Sequence, residues 1–205
     1  MRASLLVILT TLAMGLATPV AGAESDRYPT KSIRIIVPFT PGGSNDLLAR
    51  VIAPKFSEAW GQPAIIDNRA GGGSTIGIET VVRSPPDGHT LLMTSGGIAI
   101  NVSLYKLSFH PVKDLAPVAL LAQMPYLVAV NPSLPAKSTL ELINLAKAQP
   151  GKLTFASSGA GTSSHLTGEM FRSLAKIDML HIAFKGGAPA VNSVNFCRSS
   201  SCRRR

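Results

Sequence analysis

Three glycine-rich loops are the features of this chain best suited to recognising a ligand. They read TPGGS at residues 40–44, AGGGS at residues 70–74 and SSGAGT at residues 157–162, and each precedes a helix-like stretch. The first turn of a helix carries unpaired backbone N–H groups and a partial positive charge, so a carboxylate or phosphate is stabilised there. One such loop is often only a turn. Three of them favour binding of a small anion without catalysis.

Patterns typical of enzymes are missing from the sequence. It has no G-x-S-x-G, no H-E-x-x-H and no G-K-[ST] after a glycine loop, so the usual hydrolase, zinc-protease and P-loop signatures fail. His165 and Glu169 are spaced to share a helix face, where a simple side-chain pair is favoured over a metal site. Ser163 or Ser164 with His165 is the remaining hydrolase alternative, with poor geometry for a nucleophile and its base. The other histidines are interpreted as ordinary polar residues: His89, His110 and His181.

The charge distribution excludes nucleic acid as a partner. The formal net charge is +9, from 20 basic and 11 acidic residues. Five of the arginines are Arg2 and four in the last eight positions, and without them 15 basic residues face 11 acidic ones. The remaining charge is spread thinly, and the few aromatic residues are not interleaved with it. We therefore predict no nucleic-acid binding. No cofactor and no metal are predicted either, since the histidines lack the spacing of metal ligands.

The N-terminal segment predicts export. Arg2 is followed by an apolar run at residues 5–17 that is short for a membrane span, and then by an A-x-A cleavage pattern at residues 21–23. We interpret residues 1–23 as a signal peptide, with Glu24 as the mature start. The expected location is the periplasm.

The rest of the chain alternates between strand and helix patterns. Pro54 is expected to kink or split the first helix, and Ser138 with Glu141 forms a capping-box pattern. The pattern predicts these elements: strands at 33–37, 64–67, 90–94, 126–130, 153–156 and 179–184, and helices at 46–60, 76–82, 140–148 and 164–174.

Such alternation predicts an α/β fold with parallel-dominated sheets covered by helices on both faces. The series of strands and helices runs twice, which predicts two lobes, residues 24–124 and residues 125–194. The glycine loops follow strands, and ligands of open α/β sheets bind outside the carboxyl ends of the strands. Two such edges facing each other would enclose a ligand.

The loops and their flanks resemble one family. PFTPGGSND at 38–46, DNRAGGG at 67–73 and PDGHTLL at 86–92 are similar to the first lobe of the tripartite tricarboxylate transporter substrate-binding proteins, the Bug-type periplasmic receptors. SSGAGTSSHL at 157–166 and HIAFKGGAP at 181–189 resemble the second lobe. The resemblance implies a monomeric, two-lobed receptor of the periplasmic-binding-protein type II architecture. It would close on a small organic carboxylate and deliver it to the transporter's membrane subunits.

The resemblance also implies which residues bind the ligand. Asp46 has two interpretations, an acid that favours its own helix dipole or a contact to a ligand amino or hydroxyl group. Thr94 and Ser95 are weaker candidates for the wall of the cleft. The full predicted set is Gly42, Gly43, Ser44, Asp46, Thr94, Ser95, Ser158, Gly159, Gly161 and Thr162.

The end of the chain departs from the family pattern. Residues 195–205 form a basic tail that matches nothing before it, and we expect it to be disordered or to arise from a frameshift. The second lobe would then be incomplete, and residues 24–205 would bind their ligand weakly or not at all. A carboxylate sensor for a signalling partner is the alternative function, because the glycine loops suit it equally well.

Overall fold

The computed structural model describes residues 28–111 and 113–196, so the predicted signal peptide and most of the predicted tail lie outside the described residues. The first sheet has three parallel strands, β1 (Ile33–Val37), β2 (Ala64–Asn68) and β3 (Thr90–Leu92). Their spatial order is β2-β1-β3. The predicted strands therefore form, and β1 lies at the centre of the sheet.

Strand β1 is apolar at four of its five positions, with Arg34 as the exception. Ile33, Ile35, Ile36 and Val37 are at most 2% exposed, as expected for a parallel strand covered on both sides. Three helices belong to this part of the chain: α1 (Ser44–Trp60), α2 (Thr75–Val82) and α3 (Gly97–Leu104).

Helix α1 runs without interruption through Pro54, so the expected split does not occur. A proline removes one backbone donor from a helix. Here Ala49 and Ala53 are buried against the first sheet together with Leu48 and Ile52. Phe56, after the proline, packs against the same core, so packing on both sides of Pro54 keeps the helix in one piece. It ends at Gly61, which adopts the left-handed conformation typical of a C-terminal cap.

The second sheet has two parallel strands, β4 (Thr154–Ser157) and β5 (Leu180–Ala183). Helices α4 (Thr139–Ala148), α5 (Ser163–Ala175) and α6 (Gly187–Phe196) surround it. A small core forms around three residues of these elements and their connections: Ala146, Ile177 and Met179. The two sheets fall on either side of the predicted boundary between residues 124 and 125, and the division into lobes stays a prediction.

The capping pattern before α4 is confirmed. The Ser138 side chain accepts a hydrogen bond from the Glu141 backbone N–H at 3.2 Å. The Glu141 carboxylate in turn accepts from the Lys137 backbone N–H at 2.7 Å. The first bond satisfies a donor that the helix itself leaves free. The second reaches the residue before the cap, where a standard capping box has the Ser138 N–H.

The strand predicted at residues 126–130 is wrong. This segment has no regular secondary structure, and its side chains are exposed, with Leu127 at 87% and Val128 at 61%. A strand pattern needs a neighbouring strand to supply hydrogen bonds. No strand of the described residues pairs with this segment, so its apolar residues remain on the surface.

Candidate functional site

A cavity of about 190 Å³ lies where the two sheets face each other. The second and third glycine loops both contribute to its lining, with residues 71–74 and 158–160. Among the described residues that line the cavity, Lys185 alone carries a charge. The lining consists of segments that follow four strands: residues 38–39 after β1, 71–74 after β2, 158–160 after β4 and 183–185 at the end of β5.

A larger open depression of about 570 Å³ lies along the outer face of α5. It is lined by residues of this helix and its C-terminal end, and it touches neither a glycine loop nor the carboxyl end of a strand. Its charged residues include Glu169 and Arg172, which pair with each other at 3.4 Å. We therefore place the candidate site in the smaller cavity.

The second and third glycine loops touch directly. Gly73 has a φ of +60°, a backbone conformation that glycine adopts readily and other residues rarely do. A Cβ atom at this position would overlap the carbonyl oxygen of Ala160 and lie 2.9 Å from the Tyr105 hydroxyl. The close approach of the two loops therefore depends on glycine at position 73.

Helix α3 holds this contact from the side of the first sheet. Asn101 is fully buried, and its Nδ2 donates to the Gly73 carbonyl at 3.0 Å and to Ser74 Oγ at 3.2 Å. Its Oδ1 atom has no hydrogen-bond partner among the described residues. A Cβ atom at Gly161 would lie 2.6 Å from that oxygen. Asn101 thus packs against both glycine loops.

Tyr105, just after α3, makes a direct hydrogen bond across the junction. Its hydroxyl donates to the Ala160 carbonyl at 3.0 Å. Gly97, at the start of α3, packs so closely against the third loop that a Cβ there would lie 3.2 Å from the Thr162 Cα. Gly97, Asn101 and Tyr105 thus connect α3 to the third glycine loop.

The first glycine loop, residues 40–44, is organised by Asp46. This side chain is 1% exposed and accepts hydrogen bonds from the Gly42 backbone N–H at 2.8 Å, Arg50 Nε at 2.9 Å and Asn68 Nδ2 at 3.0 Å. Burial raises the pKa of Asp46, but hydrogen bonds from Arg50, Gly42 and Asn68 outweigh it and hold the pKa below its ordinary value. The Asp46 carboxylate therefore stabilises its own loop and helix, and it accepts the hydrogen of the Gly42 backbone amide.

The starts of α1 and α6 face each other beside the cavity. No side chain caps α1 at Gly43, and a Cβ there would lie 3.7 Å from the Gly187 nitrogen. The Thr40 backbone N–H donates to the Lys185 carbonyl at 3.2 Å. Because a helix N-terminus carries a partial positive charge, two facing N-termini create a positive region. Ser44, the first residue of α1, belongs to it.

Polar groups of the third glycine loop bond largely to one another. The Ser158 hydroxyl lies 2.8 Å from Ser164 Oγ and donates to Thr162 Oγ1 at 3.2 Å. Thr162 is 2% exposed, and its hydroxyl donates to the Gly159 carbonyl at 2.6 Å while capping the start of α5. The predicted side-chain donors thus brace the loop, and Ser158 and Gly159 line the cavity.

Two histidines lie directly behind the third loop. His165 Nδ1 accepts from the Gly161 backbone N–H at 3.3 Å, and His181 Nε2 lies 2.7 Å from Ser157 Oγ. Their rings stack with centroids 4.1 Å apart. Burial, followed by the neighbouring His165, lowers the pKa of His181. His181 is therefore part of a built cluster and is not the scattered polar residue that the sequence suggested.

This geometry removes the hydrolase alternative. The Ser164 hydroxyl bonds within the third loop, and His165 Nδ1 receives a backbone N–H. Ser157 does contact His181, but it is 1% exposed, so no external substrate reaches its hydroxyl. His165 and Glu169 form the predicted side-chain pair, with Nε2 and Oε1 3.8 Å apart.

Thr94 and Ser95 lie between β3 and α3. The Thr94 hydroxyl is buried without a partner among the described residues, and the Ser95 carbonyl accepts from the Ile98 backbone N–H at 3.2 Å. Neither lines the cavity. They precede α3, the helix that contacts the third loop.

Neither a metal site nor a membrane span is found within residues 28–111 and 113–196. No three metal-ligating side chains come together there. No helix in the same ranges combines the length and apolar character needed to cross a membrane.

Sequence reasoning missed three side chains at this site, and their signals were weak. Asn101 is a polar residue in the apolar helix GIAINVSL, which marks a buried hydrogen bond. Tyr105 and Lys185 looked like ordinary residues of connecting segments. Their roles depend on how the two sheets meet, and no local pattern encodes that arrangement.

Comparison with known proteins identifies the family. A sequence model of the tripartite tricarboxylate transporter family receptor matches residues 48–200. The chain belongs to this family. BugT of Bordetella pertussis is 41% identical over 182 residues, covering 86% of this chain and 54% of BugT. The chain spans about half the length of the curated relatives it matches. The predicted family is confirmed, and its members are receptors, not enzymes.

Several solved structures are similar in fold to this member of the receptor family. Rpa4515 of R. palustris with adipate is 36% identical with a TM-score of 0.78, over 82% of this chain and 56% of that one. MatC of Rhodopseudomonas palustris with bound malate is 31% identical with a TM-score of 0.74, over 82% and 57%. The periplasmic binding protein BugD is 30% identical with a TM-score of 0.73, over 82% and 56%. The predicted α/β fold of periplasmic binding proteins is confirmed.

Proposed function

We propose that this chain is a periplasmic receptor that binds a small organic carboxylate between its two sheets and presents it to the membrane subunits of a tripartite tricarboxylate transporter. The observation that carries the proposal is the 190 Å³ cavity, whose described lining includes one cation, Lys185, and no acid. Two solved structures similar to this chain contain adipate and malate, which supports a carboxylate as the ligand class.

The size of the cavity favours a small ligand. Its volume corresponds to the share of about six water molecules in the liquid, below the roughly 300–1,000 Å³ of typical drug-sized sites. One carboxylate would lie near Lys185. The facing starts of α1 and α6, at Gly43 and Ser44 on the α1 side, lie outside the cavity lining and would add positive potential from beside it. Ser158 and Gly159 follow the strand that pairs with β5, so they would contact the ligand from the same side as Lys185. Recognition through backbone groups suits any carboxylate, so the shape of the cavity would select among them.

Calorimetry on the 205-residue chain tests the proposal with malate and adipate as probes and their neutral dimethyl esters as controls. We expect binding of the acids and none of the esters, and weak affinity, as predicted for residues 24–205. Lys185→Gln should weaken acid binding about tenfold, which corresponds to about 1.4 kcal/mol. Lys152→Gln removes an exposed lysine outside the cavity and should leave affinity unchanged. Equal binding of acids and esters would refute a carboxylate site.

A further inference from the structure

We propose that His165 and His181 are positioning residues for the third glycine loop, and that protonation of His165 releases this loop and weakens ligand binding. The last step rests on the proposed function. The two imidazole rings stack at 4.1 Å with an angle of 28° between their planes. His165 lies on α5 and His181 on β5, so the pair joins the helix that follows the loop to the neighbouring strand.

His165 holds the loop through an acceptor that a proton would remove. Its Nδ1 accepts the hydrogen bond from Gly161 at 3.3 Å, and only an unprotonated nitrogen can accept. The ring hydrogen of the neutral form is then on Nε2, which faces Glu169 Oε1 at 3.8 Å. Protonation would place a hydrogen on Nδ1 opposite the Gly161 N–H, and the two donors would repel each other.

His181 holds the other end of the same loop. Its Nε2 lies 2.7 Å from Ser157 Oγ, and that oxygen accepts from the Gly159 backbone N–H at 3.2 Å. The stacked rings therefore contact the first residue of the loop and its fifth, Gly161. A change at one ring is transmitted to the other by direct contact.

The groups around the pair allow one proton and disfavour two. Glu169 and Arg172 face it from α5 and pair with each other at 3.4 Å, while Phe155 of β4 stacks on His181 and brings no charge. Two imidazolium rings in contact would repel strongly. Burial and His165 already lower the pKa of His181. Protonation of His181 is therefore disfavoured.

Release of Gly161 would reach the ligand cavity through the loop itself. Gly161 packs against Asn101, with a Cβ there only 2.6 Å from Oδ1. The preceding residue, Ala160, lines the cavity and accepts the Tyr105 hydrogen bond. A displaced loop would lose this bond and open one wall of the cavity.

A nuclear magnetic resonance titration of the ligand-free 205-residue chain tests the loop mechanism without any ligand. Between about pH 7.5 and about pH 5, the range in which histidines titrate, the Gly161 amide shift should follow the midpoint of the His165 imidazole. In His165→Gln, the side-chain amide oxygen can still accept from Gly161, so this dependence should disappear. His110→Gln, which removes an exposed histidine outside the cluster, should leave it unchanged. If the Gly161 amide chemical shift does not change with the protonation of His165, the proposal is overturned.

Calorimetry with malate then tests the effect on binding. Malate itself takes up a proton towards pH 5 and so binds both proteins less well there. We expect wild-type affinity to fall about tenfold further than that of His165→Gln over the same pH range, which corresponds to about 1.4 kcal/mol. If wild type and His165→Gln lose affinity equally on acidification, the proposal fails. If malate and adipate do not bind at any pH, the proposed function fails, while the Gly161 titration still decides the loop mechanism.

Discussion

The backbone N–H of Gly42 donates a hydrogen bond of 2.8 Å to the carboxylate of Asp46, four residues later. The same carboxylate accepts from Arg50 and Asn68, so it ties the first glycine loop to α1 and to the end of β2. An acid at a site for carboxylate ligands would repel them if it were unpaired. These three bonds make Asp46 compatible with an anion bound nearby.

Asp46→Asn should lower the free energy of unfolding by about 2 kcal/mol, because hydrogen bonds to charged groups contribute about 1.5–3 kcal/mol. The new amide would also point a donor either at Gly42 and Arg50 or at Asn68 Nδ2, all of which are themselves donors. Urea unfolding measures the change. Glu58→Gln alters an exposed acid of the same helix and should change stability by less than about 0.5 kcal/mol. Equal effects would show that Asp46 has no structural role.

Gly73→Ala should weaken carboxylate binding by separating the second and third glycine loops. The new methyl group would overlap the Ala160 carbonyl. Gly61→Ala is the matched control, since Gly61 has a φ of +66° but no atom within 4 Å of its potential Cβ. Both variants carry the strain of a positive φ, about 1 kcal/mol. Only Gly73→Ala should lose malate affinity in calorimetry, and equal losses would argue against the loop contact.

Tyr105→Phe should loosen the contact between α3 and the third loop by removing the donor to Ala160. The expected cost is about 1 kcal/mol of stability, with faster hydrogen exchange of the amides at residues 159–161. Mass spectrometry of exchanged peptides measures this. Tyr126→Phe, at a residue that is 56% exposed, should leave exchange unchanged. Unaltered exchange in Tyr105→Phe would mean that packing alone holds the loop.

Stability should fall as the pH drops below about 6.5, partly because of His181. Burial lowers its pKa from the ordinary 6.5, so the unfolded chain takes up a proton at a pH where the folded chain does not. This contribution is present above pH 6.5 and is lost as the pH falls towards the lower, folded pKa. Urea unfolding at several pH values should show a smaller loss between about pH 7 and about pH 5 in His181→Phe. An unchanged slope would contradict the prediction.

Asp87 makes the free energy of unfolding depend on pH in a lower range. The Lys31 hydrogen bond, with help from the His89 backbone N–H, lowers its pKa to about 2. Its contribution is present above the ordinary value of 3.8 and is lost as the pH falls through about 2. In Lys31→Gln, the Asp87 carboxyl should titrate closer to 3.8, as read from its carbon chemical shift. A pKa that remains near 2 would assign the shift to the backbone hydrogen bond alone.

Local patterns were sufficient for most of the elements. The apolar run of β1, the spacing of α1 and the Ser138 cap each act within a few residues, so they appear in the sequence directly. The segment at 126–130 shows the limit, because a β-rich pattern forms a strand only where a partner lies beside it. The split expected at Pro54 does not occur for a related reason, since packing against the first sheet outweighs one lost hydrogen bond.

The sequence by itself determined the family, the α/β class and the three glycine loops, because glycine, proline and apolar spacing constrain the backbone locally. Tertiary structure decided which groups meet. It paired Gly42 with Asp46, stacked His165 on His181 and brought Asn101 against two loops. These contacts join residues from different strand ends, and they depend on the packing of whole elements, which short-range patterns do not specify.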